Sequence, residues 1–268
     1  MSSRTGSFSR LLLPAGILVL ATVSFLIIKR PANRTTSGGP GSAEQKLAPA
    51  GSRNQSPVSV GVTNTSELDT GEDRVVELVT EGNELLAKGN HAAAAEKYEQ
   101  ALRIDPEAED LHYNLAIALA KIGKTEQAKE HYSEALRIFP DYAEARNNLG
   151  NLLMNENKLA EAVELFQEAV KLAPDNASFH SNLGTALARQ GKGAEARTEF
   201  AEAVRLNPNY VEARVNLANA CLAAGAVEEA ITNLTEALRL RPDFPPALQT
   251  LQRARQRLQG AGSRGPGL

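Results

Sequence analysis

The sequence predicts an all-α fold, a solenoid of five 34-residue helix-turn-helix units with a closing helix behind them and an apolar segment and polar linker in front. Three observations predict it. Pro106, Pro140, Pro174, Pro208 and Pro242 stand 34 residues apart. Alanines recur in register with them: Ala94, Ala128, Ala162, Ala196 and Ala230 twelve residues before each proline, and Ala101, Ala135, Ala169, Ala203 and Ala237 five before. Between the prolines the apolar residues return at three- and four-residue steps, broken once per period by a residue suited to a helix end. A period of this length marks one supersecondary unit used repeatedly.

In chain order, residues 1–10 form a short N-terminal segment. Leu11 to Ile28 is an 18-residue run without charge, flanked by Arg4 and Arg10 before it and Lys29, Arg30 and Arg34 after. At 1.5 Å per residue it would make a helix of about 27 Å, close to the roughly 30 Å hydrocarbon thickness of a bilayer. Its apolar character continues directly into Lys29-Arg30, so an uncleaved transmembrane signal anchor is the expectation over a cleaved signal peptide. Similar short N-terminal anchors of bacterial type leave the following chain periplasmic or extracellular. A secreted, cleaved form is the alternative. Residues 29–73 are rich in Ser, Thr, Gly and Pro and carry no apolar periodicity, which predicts a disordered linker.

The repeats occupy residues 75–108, 109–142, 143–176, 177–210 and 211–244. Places within a unit are numbered 1 to 34 from Val75, Glu109, Ala143, Ala177 and Val211. Place 15 reads Gly89, Gly123, Asn157, Gly191 and Gly225, residue types that accept the left-handed conformation beyond a helix C-terminus, so the first helix, A, ends there. Helix B carries alanine at places 20 and 27 and a large residue at place 24: Tyr98, Tyr132, Phe166, Phe200 and Leu234. Place 8 on helix A is always small, Gly82, Ala116, Gly150, Gly184 and Ala218, which lets the two helices approach with the large residue between them. The proline at place 32 lacks an N–H and biases its predecessor away from the α region, ending helix B. Residues 245–259, with Leu248, Leu251, Ala254 and Leu258 on one face, read as a capping helix whose arginines Arg253, Arg255 and Arg257 form a solvated face. Residues 260–268 read as a disordered tail.

Leu149-Gly150, Leu153, Ala162, Phe166, Ala169 and Pro174 of the third unit, and their equivalents, resemble the tetratricopeptide repeat (TPR) family. The resemblance implies a right-handed superhelix of helix pairs whose A helices line a concave groove holding a segment of another protein. One departure is systematic. Place 4, often aromatic in that family, reads Leu78, His112, Arg146, His180 and Arg214.

Composition narrows the function. The net charge of −3 hides an acidic array, since residues 75–244 hold 17 basic and 27 acidic side chains. Such a surface repels phosphate backbones, so no nucleic-acid partner is expected. The four histidines, at 91, 112, 131 and 180, show no metal-ligand spacing, no glycine loop suited to cradling phosphate is present, and Cys221 stands where other units have leucine. The expectation is a chain that is not an enzyme, with no cofactor, metal or small-molecule substrate.

Place 6 supplies the functional candidate. It reads Thr80, Asn114, Asn148, Asn182 and Asn216, joined by Asn83, Asn151 and Asn219 at place 9 and Asn147 at place 5. Asn is a mediocre helix former, and a carboxamide both donates and accepts, so a row of them suits an extended peptide backbone. The row resembles the asparagine ladder in the repeat domain of O-linked N-acetylglucosamine transferase, which implies peptide binding at Asn114, Asn148, Asn182 and Asn216. Bridging between neighbouring A helices is the competing role. Asp110, Glu144 and Glu212 at place 2, with Lys121 and Arg189 opposite at place 13, favour neutral or basic ligands. The chaperone-binding branch of the family clamps a C-terminal carboxylate with basic residues; here Val79, Glu144 and Asn148 occupy those places, against such a ligand. The expected role is therefore a membrane-tethered interaction scaffold, with an accessory subunit that presents substrates to a separate glycosyltransferase or envelope-assembly enzyme as the alternative.

Overall fold

A computed structural model describes residues 71–262, within the unit that begins at Asn64. The sequence-predicted anchor, most of the linker and the end of the tail lie outside the described residues. Eleven α-helices and no strand occur among those described. They alternate as A and B helices: α1 (Gly71–Ala87) and α2 (His91–Leu102), α3 (Glu109–Lys121) and α4 (Thr125–Ile138), α5 (Ala143–Asn155) and α6 (Leu159–Leu172), α7 (Ala177–Arg189) and α8 (Gly193–Leu206), α9 (Val211–Ala223) and α10 (Val227–Leu240), then α11 (Pro245–Gly262). Two helices extend past the expected bounds: α1 already includes Gly71, ahead of Val75, and α11 continues past residue 259 to Gly262.

Local chemistry explains each break. The place-15 glycines all have φ near +80°, and Asn157, at φ 62°, adopts the same left-handed turn with a side chain attached. At the far end of the units, Phe139, Ala173, Asn207 and Arg241 precede the prolines with φ between −124° and −140°, extended as the pyrrolidine ring requires.

Packing follows the fixed residues. All ten alanines at places 20 and 27 are fully buried, and the place-24 side chains are at most 3 % exposed. Place 8 is small because nothing larger fits in three of the units. A Cβ on Gly82 would stand 2.6 Å from Tyr98 Cε1, on Gly150 2.9 Å from Phe166 Cε1, and on Gly184 2.8 Å from Phe200 Cδ1. A single pair could not bury the rest of its apolar surface, and each B helix also packs on the A helix that follows it.

In three units the place-4 departure from the aromatic pattern is a polar clamp, while Leu78 is buried and Arg146 pairs with Glu168 at 3.0 Å. His112 Nε2 lies 3.1 Å from Pro106 O, His180 Nε2 2.9 Å from Pro174 O, and Arg214 Nε donates to Pro208 O at 2.7 Å. Each therefore ties helix A to the carbonyl of the preceding unit's proline, an acceptor with no helical donor of its own. The second polar end of each reaches place 23 on its own helix B: His131, Glu199 and Asn233.

Helix α11 behaves as the A helix of a further unit. Arg257 Nη1 donates to Leu222 O at 2.8 Å, just as Arg189 Nη1 donates to Met154 O at 2.8 Å, both reaching back 35 residues to the C-terminal turn of the preceding A helix. The cation meets the negative end of that helix, which corrects the expectation of Arg257 as a merely solvated face. Gln252, exposed, occupies the place that is small in every full unit, and Leu248 and Leu258, expected on the packed face, are instead 48 % and 41 % exposed, so only Leu251 and Ala254 of that face are buried.

Candidate functional site, the face formed by the A helices

Helices α5, α7, α9 and α11 touch one another in sequence, while successive B helices pack chiefly on their neighbouring A helices. The A helices are thus the closer-set row, and places 2, 5, 6 and 9 all belong to them. The four place-6 asparagines are all half-buried there.

Two of them are already oriented by neighbours. Asn182 Nδ2 donates to Asn147 Oδ1 at 2.8 Å, Asn147 Nδ2 lies 3.4 Å from Asn148 Oδ1, and Asn148 Nδ2 donates to Tyr113 Oη at 3.2 Å. This relay crosses α7, α5 and α3. Bridging is thus the role the geometry shows for Asn148 and Asn182, and it consumes one donor of each carboxamide while leaving further donor and acceptor capacity. Asn114 and Asn216 make no side-chain hydrogen bond among the described residues.

The remaining candidates divide. Asn147 is 6 % exposed and works as the central link of the relay. Asn83 Oδ1 accepts from Tyr98 Oη at 2.7 Å, fixing the place-24 ring of its own unit. Asn219 Oδ1 stands 3.5 Å from Thr250 Oγ1 on α11, a contact between successive A helices like that of Asn182 with Asn147. Asn151 has a buried Oδ1 with no partner. Arg189, read as a charge across the groove, instead caps α5 and adds a 3.3 Å contact to Asn157 Oδ1.

Aromatic residues are the feature that place-by-place reading of amides missed. Tyr113 and Tyr142 stack with centroids 4.7 Å apart, Tyr113 meets Tyr132 at 5.9 Å, and Phe139 meets Tyr142 at 5.8 Å. Tyr142 Oη donates to Asp110 Oδ1 at 2.7 Å. Burial drives the Tyr142 hydroxyl far above its ordinary titration range, and the bond to Asp110 adds to that. Burial also raises Tyr113, with Glu144 and then Asp110 as the charges acting on it. The available signal was place 34, aromatic at Tyr142, Tyr210 and Phe244.

No group of three or more potential metal-ligating side chains gathers among the described residues. Cys221 is buried, and burial pushes its thiol up to about 11, leaving almost no thiolate at neutral pH. No helix among the described residues is long and apolar enough to cross a membrane.

Several solved structures share this fold. The PilF structure from Pseudomonas aeruginosa is 24% identical with a TM-score of 0.65, over 70% of this chain and 86% of that one. A MamA structure from Desulfovibrio magneticus RS-1 is 19% identical with a TM-score of 0.58, over 65% and 98%. YrrB, a TPR protein with an unusual peptide-binding site, is 23% identical with a TM-score of 0.56, over 66% and 92%. These likenesses are of fold. A search of curated proteins returns no match. Tetratricopeptide repeat models match residues 113–177 and 181–245, 82–123, and 153–202, together more than half of the sequence. The chain belongs to the tetratricopeptide repeat family, whose members mediate protein–protein interaction.

Proposed function

We propose that this protein is a non-catalytic interaction scaffold that holds an extended peptide segment of a partner along the face of its A helices. One observation carries the reading: the amide relay Asn182–Asn147–Asn148–Tyr113, which spans three successive A helices and keeps spare donors and acceptors on the half-buried Asn148 and Asn182. An extended backbone offers an N–H and a C=O at every residue, and carboxamides match both without reading side chains. The likeness of the row to the ladder of O-linked N-acetylglucosamine transferase repeats and the peptide-binding site of YrrB support the same reading. The uncharged run at residues 11–28 supports a single-pass tether, with the repeats outside the cytoplasm.

The test is a photoreactive residue at Asn148 in cells, together with replacement of Asn114, Asn148, Asn182 and Asn216 by Ala. A discrete protein crosslink that disappears from the quadruple variant, while the thermal transition stays cooperative, is the expected result. Undiminished capture by a folded quadruple variant would overturn the role of the amides. Protease applied to intact cells checks the tether: digestion of the repeats from outside is expected, and protection until lysis would reverse the orientation.

A further inference from the structure

The repeat places a second, more selective feature beside the relay. In the fifth unit, places 2, 31 and 34 together form a complete cation site filled from within the chain. Arg241 Cζ lies 4.5 Å from the centroid of the Phe244 ring, and Arg241 Nη1 donates to Glu212 Oε1 at 2.8 Å. The guanidinium is held by the face of an aromatic ring and by a carboxylate, the two interactions that suit its flat, delocalised charge.

The same three places in the second unit read Asp110, Phe139 and Tyr142. The carboxylate and the place-34 ring are kept, and their mutual geometry is fixed by the 2.7 Å bond from Tyr142 Oη to Asp110 Oδ1. The arginine is not kept. An aromatic residue stands in its place and enlarges the ring surface, since Phe139 and Tyr142 lie 5.8 Å apart and Tyr113 stacks on Tyr142 at 4.7 Å. A second carboxylate, half-buried Glu144, acts on the same Tyr113 hydroxyl. Neither Asp110 nor Glu144 forms an ion pair among the described residues, whereas Glu212 does. Asp110 and Glu144 thus act on an aromatic pair whose place-34 ring has, in the fifth unit, a counterpart that holds a guanidinium. Tyr113 is also the terminal acceptor of the amide relay, so this surface adjoins the track proposed for the peptide backbone.

We propose that the Tyr113–Tyr142 surface, with Asp110 and Glu144, is a subsite for the cationic side chain, arginine foremost, of the segment bound along the A helices. The inference rests on the peptide-binding reading above and adds a side-chain requirement to it. Arg241 on Phe244 and Glu212 is the template: the ligand supplies in trans at the second unit what the chain supplies in cis at the fifth.

The experiment uses the full-length protein and three short Ala/Ser peptides, acetylated and amidated so that no terminal charge competes, with arginine, citrulline or glutamate at the centre. Citrulline keeps the shape and planarity of arginine and removes the charge. Isothermal titration at low ionic strength should show the arginine peptide binding about tenfold tighter than the citrulline peptide, with the glutamate peptide weakest. That ratio should fall towards one in the Asp110→Asn/Glu144→Gln variant, and likewise at high salt. Equal binding of the arginine and citrulline peptides overturns the subsite and leaves backbone recognition standing. A tenfold ratio that persists in the double variant overturns its location. No binding of any peptide overturns the subsite and the groove reading together.

Discussion

Gly82 can be used to test whether close approach of the two helices, and not tolerance of glycine, sets the residue at place 8. A Cβ there would lie 2.6 Å from Tyr98 Cε1 and 3.0 Å from Cδ1 and Cζ, in a unit where Tyr98 is fully buried. The ring cannot swing aside, because its hydroxyl is tied to Asn83 Oδ1 at 2.7 Å. Gly82→Ala gains about 1 kcal/mol of helix propensity. Overpacking of a filled interior costs about 1–3 kcal/mol, so the net effect is a loss of about 1 kcal/mol. Alanine is buried at place 8 in two units, Ala218 facing Leu234 in the fifth and Ala116 beside Tyr132 in the second, where place 9 is Ile117 and offers no acceptor to hold the tyrosine hydroxyl as Asn83 holds that of Tyr98. Tyr98→Leu alone should cost about 2–4 kcal/mol, from the void and from the Asn83 acceptor left without its donor. On that background the added methyl meets space in place of a ring, so Gly82→Ala should become stabilising by about 1 kcal/mol. Urea unfolding followed by far-UV circular dichroism measures the four corners of the cycle, read as midpoint shifts because a repeat array need not unfold in one step. Stabilisation by Gly82→Ala in both backgrounds would refute the packing argument.

Acid should weaken the array before carboxylates titrate. Burial, and then the neighbouring His112, hold His131 below its ordinary 6.5, so the unfolded chain binds the extra proton and stability falls as pH drops through 6.5 towards the folded value. Melting between about pH 7 and pH 5 should show this slope, and His131→Leu, the residue that Leu165 supplies at the same place in the third unit, should flatten it; an unchanged slope would assign it elsewhere. Below 4.5 the depressed carboxylates of Glu81, Glu156, Glu202 and Glu236, each held down chiefly by a lysine or arginine bond, add a separate loss in the same direction. Arg189→Gln should cost about 1 kcal/mol and loosen the C-terminal turn of α5. Faster amide exchange at Asn157 and Lys158 is the expected readout, since both donate into that turn, and unchanged protection would reject the capping role.

Much of this protein is written in one dimension. A 34-residue period with proline, glycine and alanine at set places marks the helix breaks within and between the units, because each signal acts locally: Pro140 removes a donor, Gly123 accepts a positive φ, and Ala128 leaves room for a helix one step away. The row of asparagines was legible for the same reason, as repetition puts equal places on one face. What those asparagines touch was not. Asn83 turns inward to Tyr98, Asn219 meets Thr250, and Asn148 reaches Tyr113 of another unit, according to which side chain the next helix brings within about 3 Å. Tertiary structure alone decided the place-4 clamps onto Pro106, Pro174 and Pro208, the reach of Arg189 and Arg257 to carbonyls 35 residues earlier, and the meeting of Tyr113, Tyr142 and Asp110. The period fixes where a side chain starts. Where a long polar side chain ends depends on the nearest unsatisfied donor or acceptor, and that is a property of stacked units.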